Sequence, residues 1–318
     1  MYCFHNRNLY FCPFKINTIF LLSEKKTNWL ILIFLGFVWG ASFILIKRGL
    51  ETFSATQVAA LRMGIASLIT LPFGLKLIRK ITRKNIIPIV AVAFIGNFIP
   101  AFFFSFAQTN INSSLAGMLN STTPLFALLF AFFVFKSRIT KTQAPGVIIG
   151  LLGAFGLIVT DNIADIFSFS GYEFFVLAAT MMYGYNVNQV KYFLKGLSGF
   201  EITVLAYLFV FPVSVVILLC TDLGSSYAHP DFAMNLLYIF VLAFVGSVLA
   251  VVFINVLIQR AGALFASSVT YIIPVFAVFW GIADGEVVTG LQATSIGVVL
   301  LGVYLVNKNQ SQPKTIRQ

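Results

Sequence analysis

The chain has 318 residues, 59% hydrophobic and only 10% charged, with 21 basic against 10 acidic side chains and a net charge of +11. Soluble domains carry roughly 25% charged residues, so most of this surface faces something other than water. A mean hydropathy of +0.95 excludes a soluble enzyme, and it takes the basic balance away from nucleic acid and towards a lipid bilayer.

Residues 1–28 come first and stand apart. Phe11 to Leu22 is apolar but short, is interrupted by Pro13 and Lys15, and lacks a small-residue cleavage site, so it is a poor signal peptide. The expectation is a cytoplasmic or interfacial amino-terminal extension. Cys3, Cys12 and Cys220 are scattered without zinc spacing, and the two histidines, His5 and His229, lie in loops. No metal and no cofactor is expected.

Ten apolar runs follow, at about 29–46, 55–77, 86–107, 113–135, 144–159, 172–190, 202–220, 236–258, 264–283 and 291–306. Runs of roughly 20 apolar residues read as membrane-spanning helices. A membrane β-barrel would show short alternating segments instead. The fold class expected is an all-α polytopic membrane protein of ten transmembrane helices, with short connections that make neighbours antiparallel.

The first span carries Trp39 about halfway along, away from the interfacial belt where tryptophan usually anchors. It is either a bundle-core residue or a cavity wall. Arg62 lies inside the second span, where a charge costs several kcal/mol unless it snorkels, pairs or meets water. Either Arg62 snorkels to the interface, or it faces a wet cavity as a contact for a substrate carboxylate or phosphate. In the fourth span Asn120-Ser121-Thr122-Thr123 precedes Pro124, and in the ninth Ser267, Ser268, Thr270 and Tyr271 precede Pro274. Proline removes a backbone donor and frees a carbonyl one turn earlier, which neighbouring hydroxyls can repair or a shared cavity can use. The sixth span holds Tyr183 and Asn186 one turn apart, beside Asn188 and Gln189.

These patterns occur twice. A shift of 150 residues pairs Gly96 with Gly246 and Pro124-Leu125-Phe126-Ala127 with Pro274-Val275-Phe276-Ala277. A shift of 144 pairs Trp39-Gly40 with Tyr183-Gly184 and Lys47 with Lys191. The expected organisation is a first five-helix repeat at 29–160, a second at 171–306 and a cytoplasmic tail at 307–318. An odd span count per copy inverts one copy relative to the other. With the amino terminus inside, 18 of the 21 basic residues fall in cytoplasmic segments, as the positive-inside rule requires. Both termini are therefore expected in the cytoplasm, and the protein in the plasma (inner) membrane.

Inverted repeats are the recurrent architecture of secondary transporters, with the substrate near the midplane between the copies. The expected site is Trp39, Arg62, Asn120, Tyr183, Asn186 and Tyr271, with helix breaks at Pro124 and Pro274, and the expected partners are a small-molecule substrate and lipid, not nucleic acid. Trp39-Gly40-Ala41-Ser42-Phe43 in the first helix and Gly285-Glu286 before the last resemble the EamA-type transporters of the drug/metabolite transporter superfamily. That resemblance covers about 29–306 and implies export or exchange of small metabolites such as amino acids without ATP. Where the family often has Gly-Glu-Arg after the fourth span, this chain has Lys136-Ser137-Arg138.

An ATP-driven pump would need a phosphate-binding loop, and no such string occurs. A membrane enzyme would need clustered His, Asp, Glu or Cys, so no enzymatic activity is expected. A channel or facilitator for a small polar solute is the alternative reading. Asp284 and Glu286 read as solvated loop charges.

Overall fold

The computed structural model of the chain describes residues 24–137, 143–158, 171–254, 256, 257, 260 and 269–307. Cys3, His5, Cys12, Asp161, Ser267 and Ser268 lie outside the described residues. Among the described residues the regular elements are all helices, without strands. Helix α1 spans Glu24–Leu50 and α2 Ala55–Leu77. Ile86–Ala107 forms α3 and Ser113–Phe133 forms α4. Then come α5 (Gln143–Ile158), α6 (Glu173–Phe193) and α7 (Gly199–Leu219). Phe232–Ile254 is α8, followed by α9 (Val269–Ala283) and α10 (Gly290–Asn307). Six of these, α1, α2, α3, α4, α7 and α8, are long and apolar enough to cross a membrane, and α5, α9 and α10 are shorter apolar helices.

Local chemistry sets the boundaries. Ser54 caps α2 and Gln57 bonds back to it, and Ser198 caps α7 with Glu201 bonding back in the same way. Each is a reciprocal capping box that satisfies two orphan amides. The two sites are 144 residues apart, the shift that also relates Trp39 to Tyr183. In α4 the chain breaks at Ser121-Thr122 and restarts with Pro124 in the first turn, where proline costs no hydrogen bond. Ser121 Oγ bonds to Met118 O and Thr122 Oγ1 to Leu119 O at 2.8 Å. Those two carbonyls also accept the Ser121 and Thr122 amides; the carbonyl that Pro124 leaves without a donor, Asn120 O, accepts from Thr123 Oγ1 at 2.8 Å, so the hydroxyl before the proline repairs the break.

Two helices loosen mid-length into π-turns, at Phe94–Phe98 in α3 and Leu242–Leu249 in α8. Such insertions are frequent at functional sites. Asn97 Nδ2 donates to Val92 O at 2.8 Å and Ser247 Oγ to Leu242 O at 3.4 Å. Both are bonds five residues back, and Asn97 and Ser247 are 150 residues apart.

The helices pack in pairs: α1 on α9, α4 on α6, α2 on α7 and α5 on α10, with α3 on α6 and α1 on α8 alongside. Without a hydrophobic drive between helices in lipid, close approach through small residues supplies the contact energy. Gly40 sits against Phe276-Ala277, where a Cβ would stand 3.0 Å from Ala277 N. Gly184 sits against Phe126-Ala127, where a Cβ would stand 2.6 Å from Ala127 N. Asn188 Nδ2 reinforces the second contact by donating to Ala127 O at 2.7 Å. Large apolar side chains such as Leu219 (81% exposed) and Ile87 (76% exposed) point outward, the reverse of a water-soluble bundle. The structure is that of a membrane protein.

Candidate functional site

The second span holds Arg62, the basic side chain that sequence places away from the ends of a helix. Arg62 is half-buried on α2, and its Nε donates to Ser247 Oγ at 3.1 Å. Ser247 lies in the π-turn of α8 and is only 4% exposed, so the guanidinium turns into the protein. Tyr207, 1% exposed on α7, donates to Ser247 O at 3.4 Å. Arg62 and Tyr207 therefore meet on the same residue, one at its hydroxyl and the other at its carbonyl. One cation, one phenol and one serine are gathered from α2, α7 and α8.

Trp39 approaches the same π-turn from α1. Its indole Nε1 donates to Gly246 O at 3.1 Å, and Ser42, one position short of a turn further on, lies over Gly246. On the other side Asn186 lies over Gly96, the residue 150 positions earlier than Gly246. Asn186 Oδ1 also accepts from Gln189 Nε2 at 3.2 Å. Tyr183 stacks on Phe104 with centroids 6.1 Å apart, and Phe104 packs on Phe43 at 5.6 Å. Trp39 and Tyr183 thus each abut the core, but an aromatic chain through Phe43 and Phe104 runs beside them.

The remaining sequence-predicted residues are more dispersed. Asn120 is half-buried at the end of the first segment of α4, with its side-chain amide unbonded among the described residues. Tyr271 is half-buried against the main core near the start of α9. Pro124 is half-buried and Pro274 buried within α9. An open apolar groove of about 410 Å³ runs between α3, α4 and α6, lined by Ile95, Phe130, Ala178, Met181, Met182 and Tyr185. None of the predicted residues lines it.

A second polar centre sits where α1 and α9 end, and it corrects one expectation. Asp284 and Glu286 are not solvated loop charges: their side chains are 9% and 4% exposed. Lys47 Nζ lies 2.6 Å from Asp284 and 2.9 Å from Glu286, and Arg48 joins Asp284 to Glu51. Glu286 also closes the N-terminus of α4. One oxygen accepts from Ser113 N (2.9 Å) and Oγ (2.6 Å), the other from Ser114 N (2.9 Å) and Oγ (2.7 Å). A carboxylate at a helix N-terminus meets unsatisfied amides and the positive end of the dipole. Burial alone would raise the Glu286 pKa, but the bonds from Ser113, Lys47 and Ser114 outweigh it and bring the carboxyl down to about 2.

The matching turn after α4 is built differently. Lys136 and Gly285 both have positive φ, 52° and 82°, so Ser137 stands structurally where Glu286 stands in the other half. Among the described residues the Ser137 hydroxyl meets Tyr192 Oη, at 2.9 Å. Ser247, Tyr207, Ser113 and Ser114 were not legible as site residues from sequence. The one available signal was the register that pairs Asn97 with Ser247 beside the Gly96 and Gly246 pair.

The EamA-like transporter family matches residues 27–159 and again 170–308. Over 278 residues the chain is 25% identical to an uncharacterized inner membrane transporter, YedA, of Escherichia coli (strain K12), covering 85% of this chain and 87% of that one. It is 22% identical over 281 residues to a probable amino-acid metabolite efflux pump of Salmonella typhimurium, covering 84% and 90%. At 27% identity, uncharacterized transporters of Archaeoglobus fulgidus and Bacillus subtilis are matched over only 45% and 59% of their own lengths and 40% and 58% of this chain. A solved crystal structure of 15% identity aligns with a TM-score of 0.59, covering 90% of this chain and 99% of that one. That likeness concerns the fold alone.

Proposed function

The chain belongs to the EamA-like transporter family, and from that premise we propose that it is a secondary carrier of ten transmembrane helices, built as two inverted five-helix repeats at 29–160 and 171–306. It exports or exchanges small metabolites by alternating access, without ATP, and keeps both termini in the cytoplasm. The name printed for the Salmonella relative makes amino acids and related compounds the first substrates to test.

The observation that carries the reading is a contact that survives exchange of the halves. Gly40 rests on Phe276-Ala277, and its repeat partner Gly184 rests on Phe126-Ala127, the repeat partner of that segment. The helix pairs behave alike: α1 on α9 becomes α4 on α6, while α2 on α7 and α5 on α10 map onto themselves. Such an arrangement lets one half take up the packing of the other, which is how inverted repeats alternate access around a fixed site. The substrate site on this reading is lined by Trp39, Arg62, Asn120, Tyr183, Asn186 and Tyr271, with Ser247 bonded to Arg62 and Tyr207 bonded to Ser247.

Counterflow in proteoliposomes tests the proposal. Vesicles containing the purified protein and loaded with an unlabelled amino acid should accumulate the labelled form transiently above its external concentration. A solute that only equilibrates, with no overshoot for any amino acid tried, would favour the channel or facilitator instead.

A further inference from the structure

We propose that the free edge of Arg62 is an anion subsite, so that the transported molecule carries a carboxylate and the amine lacking it is refused. The inference rests on the carrier reading and names the substrate class for that site.

An arginine presents five N–H donors in a fixed fork and does not lose its charge. Among the described residues only Nε of Arg62 has a hydrogen bond, to Ser247. Among the described residues the rest of the fork has no partner, although the group is half-buried and held at Ser247, the residue that also receives Tyr207. The acidic residues that form ion pairs spend their charges elsewhere. Asp284 and Glu286 pair with Lys47, Glu51 with Arg48, and Glu201 with Lys80. Asp222 caps the short helix Leu223–Tyr227. None pairs with Arg62. A charge taken out of water without a counter-ion is strongly unfavourable, and a carboxylate docked on two parallel N–H groups is the arrangement that relieves it best.

A structural role for the cation is answered by the other half of the protein. The shift of 144 that relates the capping boxes of α2 and α7 places Ala206, fully buried, opposite Arg62. The π-turn beside it, in α3, is stabilised by Asn97 bonding to Val92 O, with no cation involved. The repeat therefore folds and closes its π-turn without an arginine. The arginine is present in one copy only, where it bonds from α2 to Ser247 in the same π-turn that receives the Trp39 indole. Among the described residues no carboxylate pairs with Arg62, so the neutral oxygens of Asn120, Tyr183 and Asn186 are what remain for an ammonium group.

The test uses the full-length protein in detergent and two probe sets of matched shape: L-phenylalanine, 3-phenylpropionate and phenethylamine, and L-threonine, 3-hydroxybutyrate and 1-amino-2-propanol. Thermal stabilisation is titrated with each. At least one set should show its carboxylate members stabilising at concentrations tenfold or more below its amine. Arg62→Gln should abolish that preference, and Arg62→Lys, which keeps the charge and the fold but loses the two-point geometry, should retain a weakened one. Equal action of acid and amine, an acid preference that persists in Arg62→Gln, or no acid-selective stabilisation in either set would overturn the subsite. Counterflow separates the two failures. Probes that move regardless of charge leave a carrier without an anion subsite, whereas an acid that binds selectively but shows no counterflow leaves the subsite and removes the carrier.

Discussion

Glu286 offers a quantitative test of how the end of the bundle is held together. Its carboxylate receives four hydrogen bonds from Ser113 and Ser114 and an ion pair from Lys47, and its side chain is 4% exposed, so solvent screens it little. The pKa falls from 4.5 to about 2, which at roughly 1.4 kcal/mol per tenfold corresponds to about 3 kcal/mol favouring the ionised form in the folded state. Because the folded value lies below the ordinary one, this stabilisation is complete above about pH 4.5 and drains away as pH falls towards 2. By pH 3 about 2 kcal/mol of it should be gone. Thermal unfolding of the purified protein, followed from pH 7 to pH 3, should show the melting temperature of wild type dropping by several degrees below pH 4.5. Glu286→Gln keeps the size but turns one oxygen into a donor aimed at other donors. It should melt well below wild type at pH 7 and lose the pH dependence across that window. A variant that melts with wild type at pH 7, or that reproduces the wild-type slope below pH 4.5, would show that the charge of Glu286 is not what closes α4.

Three further outcomes are expected. Reporter fusions at Asp161 and Lys195 should lie on opposite sides of the membrane; signals on the same side would remove the inverted arrangement. Gly40→Val and Gly184→Val should each lower folded yield by a comparable amount, since overpacking a close helix contact costs about 1–3 kcal/mol, and a large effect at one site with none at the other would break the equivalence of the halves. Tyr271→Phe should change substrate affinity or selectivity in counterflow while leaving the amount of folded protein nearly unaltered; unchanged kinetics would take Tyr271 out of the site.

Much of this molecule was legible before any coordinates. Composition and the long apolar runs place it in the membrane, because hydropathy adds up residue by residue and needs no knowledge of partners. The duplication was legible for the same reason: Gly96 with Gly246, and Pro124 to Ala127 with Pro274 to Ala277, are matches of residue against residue. The repaired break at Ser121-Thr122-Pro124 was half legible, since its bonds run only three residues back.

What tertiary structure decided is which residues meet across helices. Sequence left Arg62 between snorkelling and turning inward, and the answer depends on Ser247, 185 positions away on another helix. Asp284 and Glu286 looked like loop charges because a loop is where they sit in the chain. They become buried ion pairs because α1 packs on α9 and brings Lys47 and Arg48 to them, while α4 presents the amides of Ser113 and Ser114. The two glycine contacts, though between recognisable repeat motifs, likewise join segments far apart in sequence. Hydropathy and capping are local and survive projection onto one dimension. The partner of a charge inside a bundle is set by helix rotation and crossing, which side-chain packing fixes only when the whole bundle is assembled.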